Sequence, residues 1–97
     1  MVVINEKHLK DNFAVNLRYL RLRNTPRISQ AMLARIIGSS QRSISNYEKA
    51  YHLPPTHVLA ALAKYFGLTM DELMMERVPE SPSVPQIYTK EEGTTNE

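Results

Sequence analysis

Between residues 29 and 48 the chain, SQAMLARIIGSSQRSISNYE, has room for two short helices and one sharp corner between them. Gly38 makes the corner, because it alone in this stretch enters the left-handed region without steric cost. Ala34, four residues earlier, is small enough for a second helix to approach the first. Ile44, six residues later, is a branched apolar side chain that pins the second helix to a core. Ser29 and Ser40 stand at the two N-cap positions, where a hydroxyl accepts from an otherwise unpaired backbone N–H.

The flanking sequence supplies helices to pack against this pair. Leu9, Phe13, Leu17 and Leu20 recur at helical spacing and line one face of a first helix. Asn5 is placed to cap it, with Ile4 and Leu9 at the positions of a hydrophobic staple, and Thr25-Pro26 closes it. Leu33, Ala34 and Ile37 form the inner face of the second helix. Pro55 opens a fourth, whose inner face is Val58, Leu59, Leu62, Ala63 and Phe66 and which Gly67 stops. Thr69 and Glu72 have capping-box spacing for a short fifth helix carrying Met70, Leu73 and Met74. No stretch alternates at period two long enough for a strand. The expected fold is all-α, a compact five-helix bundle over residues 1–77. Residues 78–97 turn to Pro, Ser, Thr, Glu and Gly and are expected to form a flexible acidic tail.

Charge is distributed unevenly. The net +2 of the whole chain divides into +5 over residues 1–77 and −3 over residues 78–97. Residues 16–52 hold seven basic residues and a single acid, Glu48. A basic centre suits a polyanion, and equally a solvated face with no partner. The third helix narrows the choice. At about 100° per residue, Gln41, Arg42, Ser45, Asn46 and Lys49 fall within an arc of roughly 140°, opposite Ile44 and Tyr47. Nothing on that arc is acidic or large and apolar. Gln and Asn pair bidentately with adenine, and Arg with guanine.

Other chemistries lack their residues. With no cysteine there is no disulfide, thiolate nucleophile or zinc-finger ligand set, which fits a reducing, cytoplasmic setting. His8, His52 and His57 lack metal-ligand spacing. The three scattered glycines build no phosphate loop, so neither enzyme activity nor a cofactor is expected. No apolar run approaches the ~20 residues of a membrane span. Residues 1–6 are too short and too quickly charged for a signal peptide.

From about residue 16 to residue 74 the chain resembles the lambda-repressor/Cro-like helix-turn-helix family, the xenobiotic-response-element type. The matching pieces are Leu17-Arg18-Tyr19-Leu20-Arg21, Ser29-Gln30, Leu33-Ala34, Gly38-Ser39-Ser40, Ile44-Ser45-Asn46-Tyr47-Glu48, Pro54, Leu59, Leu62-Ala63, Phe66-Gly67-Leu68 and Asp71-Glu72-Leu73. The resemblance implies a five-helix bundle that binds double-stranded operator DNA, in a family rich in phage and mobile-element repressors and in antitoxins. It implies base contacts from Gln41, Arg42, Ser45 and Asn46, with Gln30 on a phosphate and bracing Gln41. It implies further phosphate contacts from Ser40, Lys49, Tyr51 and His52, and a structural ion pair between Arg21 and Glu48.

This chain departs from the family pattern in three places. Thr25-Pro26-Arg27 lengthens the first link by about two residues, Ser39 replaces an apolar turn residue, and Ala50 stands where the family favours Gly. Operator recognition usually joins two half-sites through a two-fold dimer. Met70, Met74, Met75 and Val78 are the expected contact between copies. A regulator of repressor type is the first reading. An antitoxin whose tail covers a toxin through Val84, Ile87 and Tyr88 is the alternative.

Overall fold

The computed structural model describes residues 1–75 and Val78, and the expected tail otherwise lies outside the described residues. Five helices follow one another: α1 (Glu6–Arg23), α2 (Gln30–Ile37), α3 (Gln41–Glu48), α4 (Thr56–Phe66) and α5 (Met70–Leu73). No strand forms among the described residues.

Four of the five helices begin on a side-chain cap, and α4 begins at Pro55 without one. Asn5 accepts from the His8 amide, Ser29 from Met32 and Ser40 from Ser43, at 3.0–3.1 Å. Thr69 and Glu72 close a reciprocal capping box on α5. Ile4, by contrast, remains 67% exposed, too open to act as the expected staple.

The ends of α2, α3 and α4 share one device. In each, a residue in the left-handed region turns the chain so that the next amide reaches back to a carbonyl five residues earlier. Gly38 and Gly67 do so at φ 71° and 73°, with Ser39 donating to Ala34 and Leu68 to Ala63. At the end of α3 the same role falls to Ala50, at φ 63°, and Tyr51 donates to Asn46 at 3.0 Å. The absence of glycine there leaves the helix exit unchanged in form and strained in conformation.

Phe13, Leu17, Leu20, Leu33, Ile44, Leu62 and Leu73 are the most completely buried side chains and bring every helix into one core. The Phe13 and Tyr47 rings meet edge to face, 6.0 Å between centroids, and fix α3 across α1. Val78 belongs to this core at 4% exposure, which moves the packed unit past the expected boundary at residue 77. The segment leading to it is tied down by two asparagines of α1. Asn12 Nδ2 donates to the Met74 carbonyl, and buried Asn16 donates both amide hydrogens, to Leu73 at 2.9 Å and Met75 at 2.7 Å. These bonds satisfy carbonyls that a four-residue helix cannot pair internally.

Candidate nucleic-acid interface

The corner at Gly38 sets α3 against α2, with Leu33 and Ala34 buried on one side and Ile44 and Tyr47 on the other. No atom lies within 4 Å of the place a side chain at Gly38 would occupy, so glycine is required there by its dihedral angle alone. With its apolar face spent on the core, α3 turns its polar arc outward. Gln30, Gln41, Arg42, Ser45, Asn46 and Lys49 line one shallow concavity. Six residues from α2, α3 and the C-cap of α3, expected on one surface, are thus brought together.

Most of these side chains are unspent. Among the described residues, Gln41, Arg42, Ser45 and Asn46 make no side-chain hydrogen bond to the protein, and Gln41 and Arg42 are exposed. Lys49 Nζ lies 5.8 Å from the centroid of the Tyr51 ring. Gln30 behaves differently from the expectation that it braces Gln41. Its Nε2 donates to Glu48 Oε1 at 3.0 Å, which leaves its carbonyl oxygen and one N–H for the concavity.

Glu48, the one acid in the basic centre, is turned inward. Arg21 Nε donates to its Oε2 at 2.7 Å and Arg21 Nη2 to its Oε1 at 3.0 Å. Both side chains are nine-tenths or more buried. The hydrogen bond to Glu48 raises the Arg21 pKa above its ordinary value; burial opposes this, and the carboxylate's charge adds to it. Arg21 Nη1 also donates to the Ile28 carbonyl at 3.1 Å, anchoring the lengthened link between α1 and α2. Arg27, within that link, is exposed.

The remaining expected residues are placed as follows. Ser40 caps α3, and its hydroxyl also donates to Ser43 Oγ at 3.0 Å. Tyr51 and His52 are exposed on the loop after α3, outside the residues that line the concavity. Of the methionines, Met70 and Met75 are 40% and 52% exposed, whereas Met74 packs against the core. Val78 has its side chain inside the core and offers a second copy no apolar surface, contrary to expectation. Asn16 was not expected at all. Its signal is an amide on the apolar face of a helix, where a polar side chain must find a partner.

Among the described residues no cluster of His, Cys, Asp or Glu could hold a metal, and no helix is long and apolar enough to cross a membrane. A helix-turn-helix family model matches residues 17–73, which span this corner and all the helices that support it. The chain belongs to the lambda-repressor/Cro-like helix-turn-helix family. As a member of that family it is a DNA-binding transcriptional regulator. Solved structures of similar fold include a hypothetical transcription factor, NHTF, from Neisseria, at TM-score 0.62 and 23% identity over 77% of this chain and 84% of that one. A second is the SOS-response transcriptional repressor LexA from Eubacterium rectale, at TM-score 0.63 and 21% identity over 100% of this chain and 95% of that one. A search of curated proteins returns no match.

Proposed function

We propose that this helix-turn-helix protein is a sequence-specific repressor that lays α3 in the major groove of operator half-sites. The observation that carries the reading is the contrast between the concavity and the acid beside it. Four side chains with free hydrogen-bonding groups face solvent together, while the Glu48 carboxylate, which would repel phosphates, is buried and matched by Arg21. Base contacts then come from Gln41, Arg42, Ser45 and Asn46. Gln30, Lys49, Tyr51, His52 and the capped start of α3 at Ser40 fall to the flanking phosphates.

One such unit reads too few base pairs to select a site among the ~10⁶ competitors of a genome. The protein therefore acts as a homodimer on an inverted repeat, with recognition helices about 34 Å apart. Met70 and Met75, both exposed, are apolar groups placed for that contact. It works in the cytoplasm, without a cofactor and without catalysis. Selection of bound duplexes from a random pool, followed by gel shift on the enriched site, tests the reading. Enrichment of an inverted repeat supports it. Equal affinity for enriched and scrambled duplexes, with Gln41→Ala binding as wild type, contradicts it.

A further inference from the structure

We infer that residues 1–4 form a dimerisation arm, which pairs antiparallel with the same arm of a second copy and lays the paired segments over Met75. The inference rests on the homodimer reading above and names the segment that builds most of the contact.

Met1, Val2, Val3 and Ile4 are four consecutive apolar residues, each 67–112% exposed. Ile4 is too open to staple onto Leu9, so the arm spends little of its surface on its own domain. A run of exposed apolar residues is unfavourable in water and marks a contact with something else. The four side chains carry no charge and no hydrogen-bonding group, so a phosphate backbone offers them nothing.

Area and position point to a second copy. A stable contact buries about 800 Å² on each partner. Met70 and Met75, each only partly exposed, fall well short of that. The arm adds the longest run of exposed apolar residues among the described residues. It is rooted at Asn5, and Asn12, two turns into α1, bonds the Met74 carbonyl. Helix rises about 1.5 Å and extended chain about 3.3 Å per residue, so four arm residues match the stretch of α1 between those asparagines. The arm is therefore continuous with the exposed Met75.

The chemistry of the arm sets how the copies meet. Val2, Val3 and Ile4 are β-branched, and the Asn5 backbone that follows them is extended, at φ −95° and ψ 118°. Burying an extended segment calls for a strand partner for its N–H and C=O groups, and no strand exists among the described residues. The same arm on a second copy supplies one. A two-fold axis makes such a pair antiparallel, and centring it on the β-branched run sets Val3 opposite Val3 and Val2 opposite Ile4. Alternation then puts Val2 and Ile4 of both copies on the face toward the helices and Val3 on the other. A ribbon this short is not stable alone, so its Val2 and Ile4 face rests on the methionines.

The chain contains no cysteine, so an introduced one reports the pairing. Full-length Val3→Cys, mildly oxidised with and without the selected duplex, should form a covalent dimer, because opposed residues of an antiparallel pair lie within disulfide reach. Val15→Cys, on an exposed site of α1, should not. Ile4→Glu should raise the dimer dissociation constant about tenfold or more in sedimentation equilibrium, with the circular dichroism of the fold unchanged. An unchanged constant in Ile4→Glu, or cross-linking of Val3→Cys no faster than that of Val15→Cys, overturns the arm while the dimer stands. A wild type that is monomeric both free and on its duplex removes the homodimer reading and this inference with it.

Discussion

Arg21 holds Glu48 through two side-by-side hydrogen bonds, 2.7 and 3.0 Å, across the junction of α1 and α3. The pair does two things at once. It fixes the recognition helix to the longest helix of the bundle, and it neutralises the acid nearest the DNA-facing surface. Breaking one side strands a buried charge, which costs on the order of 3–5 kcal/mol. Glu48→Ala should therefore lower the melting temperature steeply, by roughly 4–8 °C for each kcal/mol in a domain of this size. In a double-mutant cycle with Arg21→Ala the combined loss should be smaller than the sum of the single losses, as thermal denaturation of the four proteins would show.

Ala50 predicts the opposite sign. An L-residue at φ 63° carries about 1 kcal/mol of strain that glycine does not. Ala50→Gly should raise stability by about that amount, with the operator affinity of the folded protein unchanged. Gly38→Ala, at φ 71° in open space, should lose a similar amount through strain alone. Urea denaturation midpoints compare the three proteins.

Asn16 predicts a local effect. Asn16→Ala leaves the Leu73 and Met75 carbonyls without their donor, at a cost of about 2 kcal/mol. Hydrogen exchange should report selective opening of α5, with the protected amides of α1 and α3 changing far less.

These residues also show what the sequence could and could not reveal. Caps were legible because their partners lie three residues away: Asn5, Ser29, Ser40 and the Thr69–Glu72 box all form where local spacing places them. Five of the six residues of the concavity were legible because they share one helical arc, whereas Gln30 entered only through the family resemblance. Asn16 was not, since its acceptors lie 57 and 59 residues along the chain and no local pattern contains them. Val78 was misplaced because a composition shift averages over many residues and hides one apolar side chain that still reaches the core. The orientation of Gln30 followed from competition for its amide, which the buried Glu48 wins.

The methionines separate assembly from folding. Met75→Glu places a charge on an exposed side chain and should give a folded monomer with weakened operator binding. Met74→Glu should instead destabilise the fold, because Met74 packs against the core. Sedimentation and thermal melts of both variants distinguish the two effects. A wild type that sediments as a monomer and binds its selected site one to one would contradict the dimer.

The most direct test of the central claim is chemical-shift mapping of the ¹⁵N-labelled protein titrated with its selected duplex. The largest amide changes should fall on Gln30, on α3 and on Lys49, with smaller ones at Tyr51 and His52. Changes concentrated instead on the outer face of α1, around Val15 and Tyr19, with α3 undisturbed, would contradict the assignment of the concavity as the DNA-binding surface.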